Sequence, residues 1–281
     1  MSAEQQYDPQ YQYETVLVEK PEPRIGILWL NRPDKRNSIS PDLSRDMNQV
    51  LPRLAEDDDI RVLIVSGKGS AFCAGMDLGV MLRTHQGDRS AQQKPGEGST
   101  DWWRKLREFP KPTIAAVNGH AYGGGLLTIG MCDLAIASEQ AMGGLSEINW
   151  GTPPGGGATR SVLYNMLPKH YNYLLYTGLP IDGREMERMG VVNRAVPHEQ
   201  LMETTLDLAR VTAKHHPVSL DYLKRQVRGS ENIPDYYLGV DFEGLILTQM
   251  RNAAGYQGAS EGLSDFVDKK YRPGLEAKDY A

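Results

Sequence analysis

Three consecutive glycines, Gly123-Gly124-Gly125, constrain this 281-residue chain more than any other feature. Just upstream, Thr113–Val117 (TIAAV) reads as a short buried strand. Just downstream, residues 126–137 are apolar and mostly small. The glycines therefore sit where a strand turns into a helix. There they allow backbone conformations that a Cβ forbids, and they let a ligand approach the main chain closely. Free N–H groups at the start of a helix suit a negative or polarised oxygen. The common phosphate cradles do not fit. Leu126, Leu127 and Thr128 follow where a P-loop needs Gly-Lys-Ser/Thr, and the G-x-G-x-x-G spacing is missing. The stretch closes on a second glycine-rich run, from Gly144-Leu145-Ser146-Glu147 to Gly155-Gly156-Gly157.

A second junction has the same design. Ser70-Ala71-Phe72-Cys73-Ala74-Gly75-Met76-Asp77-Leu78 follows the strand-like Val62-Leu63-Ile64-Val65. Two such junctions can each offer one backbone N–H to a single oxygen, which is how an oxyanion hole for a thioester enolate is built. With these motifs the chain resembles the crotonase (enoyl-CoA hydratase/isomerase) superfamily, over roughly residues 15–277. The resemblance rests on residues 30–37, 71–78, 111–125, 132–135, 146–157 and 177–197. Within the superfamily, Ser146-Glu147-Ile148-Asn149-Trp150-Gly151 followed by Pro153-Pro154-Gly155 is most similar to the hydroxycinnamoyl-CoA (feruloyl-CoA) hydratase-lyases.

The resemblance implies an α/β fold, the crotonase (ClpP-like) spiral of ββα units, with a C-terminal helical trimerisation region. The implied division is a flexible tail over 1–14, the core over 15–197 and the helical region over 198–281. It further implies an acyl-CoA enzyme, an enoyl-CoA hydratase or hydratase-lyase working through an enolate. The backbone N–H groups of Met76 and Gly124 would form the oxyanion hole, and Glu147 would be the acid/base. Glu147 lies in a mostly apolar, glycine-bracketed segment, where desolvation raises a carboxyl pKa towards the useful range. Coenzyme A would lie along Lys35, Arg36 and Asn37 and along Ala74, Asp77 and Leu78, as part of the substrate, with no separate cofactor. Lys269, Lys270 and Arg272 are candidates for the CoA phosphates of a neighbouring subunit.

One departure matters. Ordinary enoyl-CoA hydratases carry a second glutamate two residues after the triple glycine, and the hydratase-lyases carry a serine; this chain has Leu127. The phenol-holding tyrosines of the hydratase-lyases match Met81 and Leu238 here, with Tyr237 one residue away. The acyl pocket, expected around Met81, Leu127, Trp150 and Tyr237, is therefore apolar. A single-glutamate site also suits a Δ3,Δ2-enoyl-CoA isomerase or a carbon–carbon hydrolase of the same superfamily. A further alternative, from another class, is an RNA-binding crotonase homologue.

Charge speaks against that last alternative. The net charge is −5 and the pI about 5.7, so no overall basic surface is available for nucleic acid. Two cysteines, Cys73 and Cys132, make no disulfide framework and fit a reducing cytoplasm. No apolar run reaches the length of a membrane span, and the first residues are polar. No His/Cys cluster has metal-ligand spacing, and Ser146 lacks a Ser–His–Asp pattern. His120 reads as structural. The expected partners are the acyl-CoA thioester and further copies of the chain, as a homotrimer or a dimer of trimers.

Local signals place the elements. Strands are predicted over 15–19, 25–30, 61–66, Thr113–Val117 and 134–137. Ser40-Pro41 reads as an N-cap with proline in the first turn. The helix after it should bury Leu43, Met47, Val50, Leu51 and Leu54. Pro52 should kink that helix or shift its end. Residues 84–99 are expected to be a mobile loop or lid. A short helix is expected over 101–109. Beyond Gly157 strand signals stop, and helices are predicted over 158–166, 169–177, 183–189, 198–215 and 217–228. Lys224, Arg225 and Arg228 on the last of these read as a solvated basic face.

Overall fold

A computed structural model of the chain describes residues 7–85, 101–253, 256–272 and 278–280. The chain opens with an antiparallel pair, β1 (Val16–Glu22) and β2 (Arg24–Leu30). From β2 the large sheet continues in parallel through β3 (Ile60–Gly67), β5 (Thr113–Val117), β7 (Leu134–Ser138) and β10 (Arg194–Val196). A small sheet holds β4 (Ala71–Cys73), β6 (His120–Tyr122) and β8 (Met142–Gly144), mutually parallel, with β9 (Ile181–Asp182) antiparallel to β8.

The connection rule generates the site. Each of β3, β5 and β7 in the large sheet is followed by a strand of the small one, then by a helix or helical turn. The units are β3, β4 and α2 (Leu78–His85); β5, β6 and α4 (Gly124–Met131); and β7, β8 and the 3-10 turn Glu147–Trp150. Because β4, β6 and β8 are parallel neighbours, the segments leaving them emerge at one edge. Parallel α/β sheets bind ligands outside the carboxyl ends of their strands for this reason.

Alternation along the strands fills both faces of the large sheet. Leu28, Leu30, Leu63 and Val65 point into the main core, while Ile25, Ile27, Val62 and Ile64 point to the other side. There α8 (Leu201–Ala213) covers them with Ala209 and Ala213. Residues beyond Gly157 still supply two strands, β9 and β10, contrary to the expectation from the sequence. Both are too short, at two and three residues, for periodicity to register. Around them run α5 (Ala158–Asn165), α6 (Pro168–Thr177), α7 (Gly183–Met189) and α9 (Pro217–Ser230). Two further helices, α10 (Tyr236–Arg251) and α11 (Gly258–Val267), fall within the region expected to be helical, where no individual bounds were assigned.

α1 (Pro41–Glu56) begins as expected, with the Ser40 hydroxyl accepting the Leu43 N–H at 3.2 Å and the five apolar side chains buried. Pro52 does not end it. A proline lacks the N–H that would reach the carbonyl four residues back. That carbonyl, on Asn48, accepts instead from Lys105 Nζ at 3.1 Å, delivered by α3 (Trp102–Arg107). The tail expected to be free up to residue 14 is packed from residue 8 onward. Asp8 N–H donates to Val18 at 2.8 Å, and Tyr11 is buried with its hydroxyl on Asp57 at 2.6 Å. The expected loop over 84–99 lies outside the described residues from residue 86 on, and α2 takes Thr84 and His85.

The basic face of α9 is solvated as expected at Arg225 but not at Lys224 and Arg228. The Lys224 side chain is 9% exposed and donates to Asp133 Oδ2 at 2.7 Å, while Arg228 donates to Asp133 Oδ1 at 2.8 Å. Asp133 also accepts from the Thr113 N–H (2.8 Å) and hydroxyl (2.9 Å), so it ties α9 to the start of β5. Breaking a pair of this kind leaves Lys224 without a counter-charge and Arg228 with Glu231 alone (3.2 Å). Asp133→Asn is expected to cost about 3 kcal/mol, the low end for a buried pair because Asp133 is partly exposed. Urea denaturation should show this as a lower midpoint at unchanged slope.

Candidate active site

A cavity of about 460 Å³ opens at the common edge of β4, β6 and β8. Gly123 and Gly124 line it, Gly125 follows them, and each has a separate reason to be glycine. Gly123 has φ +50, and a Cβ there would lie 2.8 Å from Glu147 Oε1. A Cβ on Gly124 would meet Ile39 at 2.8 Å and Trp103 at 3.0 Å, and one on Gly125 would lie 2.0 Å from the Cys73 carbonyl oxygen. α4 is packed that tightly against β4.

Two residues that line this cavity have backbone N–H groups outside the hydrogen-bond ladders. The segment after β4 is zipped to residues 36–39: Ala74 N–H donates to Arg36 (2.9 Å), Ile39 N–H to Gly75 (2.8 Å) and Asp77 N–H to Ile39 (3.0 Å). This parallel bridge pairs Ile39 with Met76 through the groups of residues 75 and 77. The Met76 N–H is thereby left without a partner among the described residues. Gly124 opens α4, where an N–H has no intrahelical acceptor. The two segments adjoin: a Cβ on Gly75 (φ +87) would stand 3.4 Å from Gly124 N.

Glu147 completes the group. It starts the 3-10 turn after β8, and its Oε2 is buried with no hydrogen-bond partner among the described residues. Burial pushes its carboxyl above the ordinary glutamate range. A partnerless buried carboxylate oxygen is costly in a fold.

The structure thus brings Glu147, Met76, Gly124, Ala74, Leu78, Leu127 and Trp150 into one cavity. Other predicted residues lie elsewhere. Asn37 is fully buried, and its side chain braces the loop: it accepts from the Arg32 N–H (2.8 Å) and donates to Lys68 (2.9 Å) and Ala71 (2.8 Å). That side chain has no face left for a ligand. Asp77 pairs with Arg32 at 3.4 Å and lies beside the cavity without lining it. Lys35 and Arg36 are exposed next to it. Tyr237, expected in the acyl pocket, is 77% exposed on α10 and does not line the cavity. The Met81 side chain lies outside the described residues, as it does for His85.

Trp103, Tyr122, Ser146 and Thr152 also line the cavity and were not assigned to it from the sequence. Trp103 reads there as one face of a short helix. The fold adds that its Nε1 donates to Thr128 Oγ1 (2.9 Å), which donates to the Gly124 carbonyl (2.7 Å). The indole therefore walls the cavity and, through Thr128, holds the far side of the residue whose N–H is one of the two donors. Among the described residues no group of acidic, histidine and cysteine side chains could hold a metal ion, and no helix is long and apolar enough to cross a membrane.

Comparison with known proteins agrees with this geometry. Residues 22–273 match the family described as enoyl-CoA hydratase/isomerase. A hydroxycinnamoyl-CoA hydratase-lyase of Pseudomonas fluorescens is 38% identical, covering 94% of this chain and 96% of its own length. The 2,3-dehydroadipyl-CoA hydratase of Escherichia coli K12 is 30% identical, covering 90% and 96%. An enoyl-CoA hydratase subunit I from Geobacillus kaustophilus superposes with a TM-score of 0.81 at 30% identity, covering 96% of this chain and 98% of its own. The architecture is the crotonase spiral.

Proposed function

The chain belongs to the enoyl-CoA hydratase/isomerase family, and on that premise we propose that it is a hydro-lyase that adds water to a 2-enoyl-CoA thioester. The thioester carbonyl oxygen accepts from the Met76 and Gly124 N–H groups. As water adds at C3, negative charge moves onto that oxygen, so both donors bind the transition state more tightly than the substrate. Glu147 takes a proton from the attacking water and returns one to C2. The observation that carries this reading is the buried, partnerless Glu147 oxygen in the same cavity as two free N–H groups.

Coenzyme A enters as part of the substrate. Exposed Lys35 and Arg36 suit its phosphates, and the main chain at Ala74, Asp77 and Leu78 suits the pantetheine arm. Exposed Leu238 and Leu245 on α10 and Leu263 and Phe266 on α11 support assembly as a homotrimer or a dimer of trimers. Two buried, unpaired cysteines fit a cytoplasmic setting.

Isomerisation of 3-enoyl-CoA is the second reading, because buried Leu127 stands where a second carboxylate would hold water. Proton NMR in D₂O separates the two: 2-enoyl-CoA accumulating from 3-enoyl-CoA, with no hydrated product, overturns the hydratase. The acyl group is tested in the same assay. A rigid cinnamoyl ring ends against the apolar wall of Trp103 and Leu127, where a phenol hydroxyl stays unpaired. That costs about 1–3 kcal/mol. Cinnamoyl-CoA is therefore expected to exceed feruloyl-CoA in kcat/KM by about fivefold or more.

A further inference from the structure

Behind the acyl wall lies a second chamber of about 540 Å³. It shares Trp103, Leu127 and Gly156 with the first cavity. The partition is thus one side chain thick, and at Gly156 it has no side chain; a Cβ there would sit 3.6 Å from Trp103.

The far chamber has a different chemistry. Arg104, Arg107 and Arg160 line it, with Asp101 and Tyr164. Arg104 is held by Asp101 (3.0 Å) and Glu108 (3.1 Å), and Arg107 by Glu231. Arg160 has no carboxylate partner among the described residues. Its guanidinium donates to the Tyr164 hydroxyl and to Asn232 Oδ1 (3.4 Å), and lies 4.7 Å from the centre of the Tyr164 ring. Arg107 stands 5.5 Å from the same ring. A guanidinium already fixed on an aromatic face loses little freedom when an anion arrives, and its fork matches a carboxylate.

A flexible acyl chain with its carbonyl at Met76 and Gly124, turning past Gly156, delivers its far end to Arg160. Arg160 is exposed, so a methyl end gains nothing from that cation, whereas a carboxylate pairs with it. Resting on the acyl-CoA reading above, we propose that this chamber selects acyl-CoA substrates whose chain ends in a carboxylate, with Arg160 as the recognising residue.

Saturated thioesters test this without catalysis. Calorimetry on the whole protein is expected to show octanedioyl-CoA binding about tenfold tighter than octanoyl-CoA. Arg160→Gln should bring the ratio to about one, and Arg160→Lys should keep part of it. Equal or weaker binding of octanedioyl-CoA overturns the proposal, as does a preference that survives Arg160→Gln. Hydration of 2-octenoyl-CoA is followed separately. If octanoyl-CoA binds but 2-octenoyl-CoA gains no water, the hydratase reading falls while the binding ratio still decides this one.

Discussion

Replacing Glu147 by glutamine is expected to lower turnover of the best 2-enoyl-CoA by about 10²–10⁴, the usual contribution of a positioned acid/base. Glutamine keeps the shape beside Gly123 but neither takes nor returns a proton. A fall smaller than about tenfold would remove Glu147 from the chemistry. Two pH signatures accompany the loss. In the wild type, the acid limb of kcat/KM should lie above the ordinary glutamate range, because burial raises the Glu147 pKa. Stability should move the opposite way to activity. A folded-state pKa raised above the unfolded value means that the fold binds this proton more tightly, so the favourable contribution is present at low pH. It is lost as pH rises through the folded pKa. Glu147→Gln removes the buried charge and is expected to be the more stable protein at neutral pH, with the difference vanishing as pH falls below the ordinary glutamate value. Thermal melts of both proteins across that range read it directly. A neutral-pH loss of stability would mean that the carboxylate is structural.

Gly125→Ala carries the largest expected effect on the fold. Its Cβ would lie 2.0 Å from the Cys73 carbonyl oxygen and 3.0 Å from the carbonyl carbon. Both sides of this contact are backbone, so no rotamer change relieves it. Either α4 or β4 must move, and that movement separates Gly124 from Met76. Overpacking typically costs about 1–3 kcal/mol and more where backbone must shift, so a loss of about 3 kcal/mol or a failure to fold is expected. Folded material should retain little activity. Gly244→Ala is the contrast: it is a helix-interior glycine on α10 with nothing within 4 Å of its added Cβ. It should stabilise by about 0.5–1 kcal/mol through lower chain entropy. Denaturation midpoints of the two variants decide the matter. A Gly125→Ala protein as stable and active as wild type would mean that the close approach of α4 to β4 is not required.

Local signals were legible wherever the physics is local. Ser40-Pro41 and the spacing of Leu43, Met47, Val50, Leu51 and Leu54 gave the first helix, since a cap and a 3.6-residue period need no distant partner. TIAAV is β5 from end to end. The signals failed where a partner far along the chain decides. Pro52 reads as a kink or a shifted helix end until Lys105 supplies the donor to Asn48. Lys224 and Arg228 read as solvated until Asp133, just before β7, meets them. Asn37 reads only as part of a CoA loop, and that its amide braces the loop on Lys68 and Ala71 is decided by residues far along the chain.

By itself, the sequence determined the family motifs, the glycine junctions and the identity of Glu147 as a carboxyl in apolar surroundings, because those are properties of short stretches. Only the tertiary structure decided that the segments after β4, β6 and β8 share one edge, that the Met76 N–H is left unpaired by its neighbours' bridge to Ile39, and that Trp103 and Leu127 part an apolar cavity from an arginine-lined one. The physical reason is that burial, pairing and the direction of a free N–H depend on what packs against a residue, and its neighbours in the chain do not specify that.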